Sequence, residues 1–331
     1  ILRLAACVAS LSMVYGQEFA TFEEFKKYTN KDSATEEEHA KRKAFFEMNR
    51  KLVDEHNIKG KHGYELKLGK FADLQSEELA TMYTSGLDTG SERAKYAGSG
   101  VNRWVKGPNK DEVNWVTSGA VTGVKDQGTC KGGGWAFATT GAFEGAYFLN
   151  RTKLVSFSES QLIDCATEHD GCRGVNDYDA PFMWIEINGI ATEESYPYHP
   201  RQKSCNRTKP SVASGDYFYV AGGEKGLLAA IEKQPVFVVI HADPHHFLSY
   251  SKGVITQGSK FCSSNTLADF PLLAVGYNLM APEPYILLKN SQGVSWGEQG
   301  YLRLAVNKTS ESDGVCGVAK VPTYIDNIRN I

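Results

Sequence analysis

The feature that most limits how this chain can fold is the distribution of its seven cysteines. Cys7 lies near the N-terminus, and the other six lie in the C-terminal two thirds: Cys130, Cys165, Cys172, Cys205, Cys262 and Cys316. In an extracellular protein, paired cysteines form disulfides that hold distant segments together. Once the segment that carries Cys7 is removed, the even number that remains predicts three disulfides and no free thiol.

The N-terminal segment has the form of a secretory signal. The run ILRLAACVASLSMVYG carries Arg3, then an apolar stretch too short to span a bilayer, and then the fairly small residues Val14 and Gly16. We predict that residues 1–16 are a cleaved signal peptide; the alternative is a buried core strand. The secretory route also fits three predicted N-glycosylation sites, at Asn150, Asn206 and Asn307. The predicted location is extracellular or lysosome-like.

The composition excludes several classes of function. Of 331 residues, 41% are hydrophobic and 11% are aromatic, enough to build a sizeable core. The 36 Lys and Arg residues nearly balance the 39 Asp and Glu residues, and the net charge is −3. This balance gives no electrostatic attraction to nucleic acid or to an anionic membrane. No later stretch is apolar for long enough to cross a membrane, so we expect neither kind of partner.

Residues 17–95 differ in character from the rest, because they are charged and lack cysteine after the signal. Within them, polar and apolar residues recur at steps that place them on one face of a helix: Glu38, Arg42, Phe46, Asn49, Val53 and Asn57. An ordinary amphipathic surface helix would show the same pattern. The sequence GKFAD follows, with Gly69, Phe71 and Asp73. Residues 96–109 belong to a segment rich in Gly, Ser and charge, typical of a cleavable linker.

These patterns together resemble the papain/cathepsin L family of cysteine peptidases. The helical set resembles the interrupted signature of cathepsin L-type propeptides, with Val53 for the usual Ile, and GKFAD resembles the Gly-x-Phe-x-Asp motif that follows it. Further segments resemble papain-family motifs in the same order: DQGTC…WAF, SESQLIDC, SYPY, LLAVGY, LKNS, GVSWGEQGYLRL and GVCG. The match covers nearly the whole chain after the signal.

The resemblance implies an α+β, papain-like fold of two subdomains in residues 110–331, preceded by a helical inhibitory propeptide. The left half is expected to be mainly helical and the right half β-barrel-like, with a cleft between them. In agreement, residues 135–150 and 157–164 read as helices, whereas PVFVVIHA, LLAVGY, PYILLKN and GYLRLAV read as strands. Family topology also implies three disulfide pairs: Cys130–Cys172, Cys165–Cys205 and Cys262–Cys316. The propeptide is expected to dock on the right half and to shield the cleft.

The resemblance also indicates which residues stand at the catalytic positions, and at two of these positions the residue lacks the reactive group. In this family a cysteine at a helix N-terminus attacks the substrate, a histidine moves the proton, an asparagine orients the histidine, and a glutamine helps to stabilise the oxyanion. The nucleophile position, directly before Trp135, is Gly134, and the base position is Phe270. Gln127 and Asn290 are retained. Glycine has no nucleophile, and phenylalanine cannot transfer a proton.

Other positions of the cleft have changed too. The insertion KGGG puts four residues between Cys130 and the next tryptophan, where the family has three. Gln292 replaces the tryptophan that shields the orienting asparagine, which we expect to open that contact to water, while Trp296 is retained. Val175 is expected to place a side chain where the family offers bare backbone to substrate. Pro271 replaces a small residue near the main specificity pocket.

Four other features admit a functional interpretation. Cys130 could replace the nucleophile, but this would leave Cys172 without a partner. Lys131 is expected to be a solvated loop charge rather than a base. His245 and His246 are adjacent and lack further ligands at suitable spacing, so exposed loop histidines are expected rather than a metal site. The glycine run could cradle an anion or form a plain tight turn. We predict no cofactor and no metal.

The sequence therefore predicts a secreted, papain-like pseudopeptidase that is made with a propeptide. Its predicted work is binding, with its own propeptide as one partner and a peptide, protein or inhibitor in the cleft as another. Storage as a glycoprotein and action as a decoy for inhibitors are further options. The alternative is an active cathepsin L-like cysteine endopeptidase. An active enzyme needs an unpaired thiol in its mature part, and the even count of cysteines there leaves none.

Overall fold

The computed structural model describes residues 19, 21–30, 35–60, 63–79, 82, 101–103, 107–166, 171–175, 177–262, 268–306 and 312–331. The predicted signal peptide, Asn307 and much of the predicted linker lie outside these residues. Asn150 and Asn206 are both exposed, as glycosylation would require. In the described part of the chain, no helix has the length and apolar character needed to cross a membrane.

The described residues form eight helices and ten strands. The helices are α1 (Phe22–Thr29), α2 (Glu36–Lys59), α3 (Ser76–Leu79), α4 (Gly134–Arg151), α5 (Glu159–Cys165), α6 (Ala180–Asn188), α7 (Gly223–Lys233) and α8 (Pro244–Ser249). The strands are β1 (Tyr64–Leu66), β2 (Val101–Arg103), β3 (Glu112–Asn114), β4 (Ala213–Ala221), β5 (Val236–Ala242), β6 (Tyr250–Ile255), β7 (Ala268–Asn278), β8 (Tyr285–Lys289), β9 (Tyr301–Ala305) and β10 (Thr323–Asn330). The two predicted helices correspond to α4 and α5, and the four predicted strands to β5, β7, β8 and β9, which confirms these predictions.

The strands of the described residues join in one mixed sheet. Their order is β1-β6-β9-β8-β7-β5-β10-β4-β2, and β3 pairs with β7 beside this path. The pairs β6–β9 and β2–β4 are parallel, and the others are antiparallel. Strand β2 lies within the predicted linker, so that segment is not wholly irregular. The two end strands of the sheet, β1 and β2, both come from the chain before the papain-like domain.

One apolar core joins the propeptide to the right half. Phe46 and Tyr64 of the N-terminal region pack in the same buried cluster as Phe247 and Tyr250. Phe46 and Tyr250 are fully buried, and Tyr64 is 5% exposed. Because the two regions remove each other's apolar side chains from water, their association is driven by the hydrophobic effect. The propeptide therefore docks on the right half, as expected.

Helix α4 forms the centre of the left half and lies close against the sheet. A Cβ on Gly141 would lie 2.7 Å from Leu273 Cδ2, and a Cβ on Gly145 would lie 2.5 Å from Pro235 Cγ. Gly141 therefore lets the helix approach β7 closely, and Gly145 lets it approach the residue before β5, because a side chain at either position would push the helix away. The approach places the first residue of α4 beside Pro271 of β7, where the candidate site lies.

Three disulfides are formed within the described residues. They join Cys130 to Cys172, Cys165 to Cys205, and Cys262 to Cys316. These are the pairs that the family resemblance implied. Because Cys130 is bonded to Cys172 and fully buried, it is a structural residue and has no thiol to offer as a nucleophile.

Candidate active site

The three glycines of KGGG differ in whether a side chain could be accommodated at their positions. A Cβ on Gly132 would lie 2.7 Å from the backbone carbon of Arg173, and a Cβ on Gly133 would lie 2.8 Å from Cys130 Sγ. Both positions are therefore restricted to glycine by the close approach of neighbouring chain. At Gly134 the nearest atom would be 3.3 Å away, so a side chain is crowded there but not excluded. The three glycines form part of a tight turn that leads into α4, which was one of the two predictions for this segment, the other being an anion site.

The surroundings of Gly134 are rich in oxygen atoms. A Cβ on Gly134 would lie 3.3 Å from Gln127 Oε1, 3.5 Å from Ser291 Oγ and 3.8 Å from Pro271 O. A thiolate at a helix N-terminus needs nearby donors or positive charge. Here the neighbouring side-chain oxygens are an amide acceptor and a hydroxyl that already donates to it, at 2.6 Å. The two acceptor oxygens, Gln127 Oε1 and Pro271 O, disfavour a thiolate at this position, whereas the N-terminus of α4 favours one.

Gln127 is retained, but its amide group braces the inserted turn. Its Nε2 donates to the carbonyl oxygens of Cys130, at 3.2 Å, and of Lys131. Its Oε1 accepts from Ser291 Oγ. Carbonyl oxygens can only accept, so they determine which end of the amide carries the nitrogen. Gln127 is 2% exposed and does not present a free donor for an oxyanion in this arrangement.

Phe270 is part of an aromatic stack in the right-half core. Its ring centroid lies 3.8 Å from that of Phe247, which lies 5.1 Å from the Trp296 ring. The indole N–H of Trp296 donates to Phe247 O at 3.1 Å and holds this arrangement. Phe270 is 4% exposed. At the position predicted for the base, the structure thus has a packed phenylalanine, which cannot transfer a proton.

Asn290 has kept one hydrogen bond and has an unpaired donor. Its Oδ1 accepts from the backbone N–H of Ser291 at 2.8 Å, whereas its buried Nδ2 has no partner within the described part of the chain. In this structure, which includes the propeptide, the contact is closed to water, so the opening predicted for Gln292 is not seen in this form. Asn290 is 6% and Gln292 4% exposed, because a short β-bridge holds Gln292 to Asp126 and Met82 of the propeptide lies on the same cavity.

Val175 does not obstruct the cleft, and the prediction that it would is wrong. It is 5% exposed and packs in the left-half core with Trp135 and Phe237. The preceding Gly174 has a φ of 110°, a left-handed conformation that favours glycine. The chain turns there, and the next side chain lies in the core.

The two adjacent histidines lie in a helix rather than an exposed loop, which corrects another prediction. Asp243 caps α8 by accepting from the N–H of His246 at 3.0 Å, and Pro244 begins the helix. His246 is 8% exposed, and His245 Nδ1 lies 3.0 Å from Asn49 Oδ1 of α2. Burial lowers the pKa of His245. No group of three or more potential metal ligands occurs among the described residues.

The signature residues of α2 bind the segment that follows it. Arg42 lies 3.0 Å from Glu38, 3.4 Å from Asp73 and 3.1 Å from Glu78. Phe46 and Val53 are buried in the shared core. The helix face predicted from spacing is thus a docking face, and the ordinary surface-helix interpretation does not hold.

The asparagines of α2 complete this attachment by binding backbone. Asn49 Nδ2 donates to Ala72 O at 2.8 Å. Asn57 donates to Leu66 O at 2.8 Å and accepts from Leu66 N–H at 3.0 Å. These bonds supply hydrogen-bond partners to backbone groups of the GKFAD region and of β1.

The propeptide then reaches the cleft. Lys70 Nζ lies 2.6 Å from Asp126 Oδ2, and Lys131 Nζ lies 3.7 Å from Glu78 Oε1. Lys131, predicted to be a solvated loop charge, is 30% exposed and pairs with the propeptide instead. Met82 is 4% exposed and lines the cavity between Gly134 and Phe270.

A buried network of charges behind Gly134 was not predicted from the sequence. Lys125 Nζ lies 3.1 Å from Glu144 Oε1 and 2.5 Å from Glu159 Oε1, and Lys289 Nζ donates to Thr122 O at 2.8 Å. Burial lowers the pKa of Lys289 to about 8 and raises the pKa of Glu159. The sequence does contain an indication of this network: some charged residues lie within otherwise apolar or glycine-rich motifs, such as Glu144 in GAFEG.

Comparison with known proteins extends over most of the chain. Residues 109–325 match the sequence model of the papain family cysteine proteases, and residues 22–79 match that of the cathepsin propeptide inhibitor domain (I29). Digestive cysteine proteinase 2 of Homarus americanus is 37% identical over 314 residues, which cover 92% of this chain and 94% of that protein. The cathepsin L-like peptidase of Aedes aegypti is 36% identical over 338 residues, which cover 97% and 96%.

Solved structures agree with this comparison. Digestive procathepsin L 3 of the Tenebrio molitor larval midgut is similar with a TM-score of 0.76 and 32% sequence identity. The match covers 92% of this chain and 97% of that one. The likeness therefore includes the propeptide as well as the two halves of the domain.

Proposed function

The chain belongs to the papain family of cysteine peptidases and carries a cathepsin-type propeptide domain, and from this premise we propose that it is a non-catalytic member of the family. In this proposal its work is binding, of a peptide or protein in the cleft. The observation that carries the proposal is the environment of Gly134. The residue at the N-terminus of α4 has no side chain, and the atoms around it are oxygens.

The absence of a base supports the same proposal. In another peptidase, loss of the nucleophile or of the base alone lowers turnover about a million-fold, because the two groups act as a unit. An oxyanion donor could leave a residual rate of roughly a thousand-fold over water. The matching donor in this chain, Gln127 Nε2, is engaged by two backbone carbonyls.

The relatives favour the alternative, a cysteine peptidase activity, since their names describe proteinases. The test must therefore separate true inactivity from inhibition by the propeptide. The intact protein, acidified to release the propeptide, is assayed with a dipeptidyl coumarin substrate and with an epoxide thiol reagent. A second sample is first cut in the 96–109 segment by an added peptidase, which is then removed. A cathepsin L-like proform treated in the same way is the positive control.

We expect no turnover above the blank in either sample and no covalent adduct on residues 130–135. The positive control should gain activity on acidification and lose it with the epoxide. Turnover by this protein that the epoxide abolishes, together with added mass in that segment, would falsify the proposal.

A further inference from the structure

We infer that Asn206 carries an N-linked glycan and that the first sugars of this glycan cover an exposed apolar face of α6. This inference concerns the surface of the left half and is independent of whether the cleft has any catalytic activity. The sequence predicted glycosylation at Asn206; the place that the glycan takes on the surface is inferred from the contacts around this residue.

One side of α6 exposes apolar side chains to solvent. Met183 and Ile187 are 45% and 73% exposed. They lie one helical turn apart, and the partly exposed Trp184 lies beside both, so the three side chains form one patch, here called the α6 face. Single apolar residues scattered over a surface are ordinary, whereas adjacent ones favour a group that covers them.

The chain that follows Asn206 runs past this face. The guanidinium carbon of Arg207 lies 5.9 Å from the centre of the Trp184 ring. Farther along, the N–H of Ile190, two residues after the end of α6, donates to Ala213 O at 2.8 Å. The two N-acetylglucosamine residues that begin an N-linked glycan are together longer than an arginine side chain. A glycan on Asn206 can therefore reach the helix that its neighbour already touches.

Asn206 is well placed for attachment of a sugar. It is exposed, and its Oδ1 accepts from the hydroxyl of Thr208 at 2.7 Å and from the N–H of Thr208 at 3.1 Å. Both bonds use the amide oxygen and leave Nδ2, the atom to which the sugar is attached, available. The position is also fixed, because the preceding Cys205 is bonded to Cys165 and the N–H of Asn206 donates to the Tyr196 hydroxyl at 3.4 Å. The glycan thus has a defined starting point beside α6.

The chemistry of the glycan matches the α6 face. One face of a pyranose ring presents C–H groups, which pack on aromatic and aliphatic side chains, while its hydroxyls stay hydrated. Arg207 already covers part of Trp184, so we expect the sugars on Met183 and Ile187. A second copy of this chain is the other candidate for the face, but a bulky, hydrated glycan attached next to it would keep two copies apart.

The test compares two methionines of almost equal exposure. Met183 on the α6 face is 45% exposed and Met48 on α2 is 46% exposed, so the protein chain alone gives an oxidant similar access to both. The full chain is produced in a eukaryotic secretory host, and peptide mass spectrometry measures the occupancy of Asn206. Brief treatment of the folded protein with hydrogen peroxide then gives the oxidation rate at each methionine. We expect Asn206 to be occupied and Met183 to react several times more slowly than Met48.

Removal of the glycan should change only one of these two rates. We expect enzymatic deglycosylation of the folded protein, and the variants Asn206→Gln and Thr208→Ala, to raise the rate at Met183 severalfold and to leave Met48 unchanged. The enzymatic arm keeps the test decisive if the variants do not fold. Asn150→Gln is the matched control, because it removes the exposed glycosylation site at the end of α4 and should change neither rate.

Three results would overturn the inference. The first is an unmodified Asn206 in the secreted protein. The second is a rate at Met183 that does not rise when the glycan is removed, because the glycan would then extend into solvent. The third is a dimer of the glycosylated protein with cross-links on α6, because a second copy would then cover the face. None of these results bears on the coumarin assay, so failure here is separate from failure of the proposed function.

Discussion

Gly134 and Phe270, the two residues that we assign to the nucleophile and base positions, have surroundings of opposite character. Oxygen atoms surround the first, and aromatic rings surround the second. A reacting thiol needs a base that accepts its proton, and the residue at position 270 is a packed phenylalanine that cannot do so. The two substitutions are therefore accommodated by their neighbours, and reversing them alone should not restore the chemistry.

We predict that the double variant Gly134→Cys/Phe270→His hydrolyses no peptide substrate. The new Cβ would lie 3.3 Å from Gln127 Oε1 and 3.8 Å from Pro271 O, and because such acceptors disfavour a thiolate beside them, we expect the pKa of the thiol to stay above about 8.5, the ordinary value for cysteine. The rate of alkylation by iodoacetamide as a function of pH measures this pKa. Fast labelling at pH 6, with turnover of the coumarin substrate, would contradict the prediction. A variant that also lacks one glycine of KGGG tests whether the insertion is the remaining obstacle.

Phe270→His should also lower stability. The imidazole would lose part of the stack on Phe247 and would bury a polar ring in the right-half core, at a cost of about 1–3 kcal/mol in the free energy of unfolding. Urea unfolding measures the difference. Phe270→Leu, which stays apolar, should cost less, and an equal or greater loss for leucine would argue against the polar contribution.

At the scale of elements, the spacing of residues in α2 predicted which face of the helix matters, but not what that face binds. The partners of Asn49 and Asn57 are backbone groups of Ala72 and Leu66. Every residue has these groups whatever its side chain, so the sequence does not indicate which residue will be the partner. The same limit applies to Gln127, whose position was predicted and whose amide orientation was not. The order of helices and strands and the disulfide pairs could be predicted from the resemblance to the family. The direction of a side chain could not: that of Val175 depends on the backbone conformation of one residue, Gly174.

Arg42→Ala should weaken the attachment of α2 to the segment after it. Asp73 is 1% exposed and would lose the guanidinium group beside it, so we expect the free energy of unfolding to fall by about 2–4 kcal/mol. Lys41→Ala is the matched control, since Lys41 and its partner Glu37 are both exposed, and the change should leave the free energy of unfolding almost unchanged. Thermal unfolding of both variants checks this, and equal losses would contradict it.

At the scale of the whole molecule, Glu193 should make stability depend on pH. Burial raises the pKa of Glu193 to about 7 from an ordinary value of 4.5. Between these values the folded protein keeps a proton that the unfolded chain releases, so this contribution is complete below pH 4.5 and is lost as the pH rises through about 7. We expect Glu193→Gln to reduce the loss of stability over this interval by about 1 kcal/mol, allowing for partial exposure.

The measurement is urea unfolding at several pH values between 4 and 8. Glu194→Gln is the control, because Glu194 is the exposed neighbour and should leave the profile unchanged. Identical profiles for the parent and Glu193→Gln would show that this carboxyl does not titrate differently on folding.

The ends of the sheet have a consequence for any trimmed form of the protein. Strand β2, Val101–Arg103, lies hydrogen-bonded along β4, and peptidases cut backbone that is extended and unpaired. A peptidase should therefore cut the chain before Val101. The N-terminal segment of the shortened protein would then still include β2, which stays paired with the edge of β4. Should the cut fall beyond Arg103 instead, β4 would be left as a bare edge on which a second molecule can add its own strand. The position of the cut would therefore determine whether the shortened protein stays monomeric or slowly aggregates.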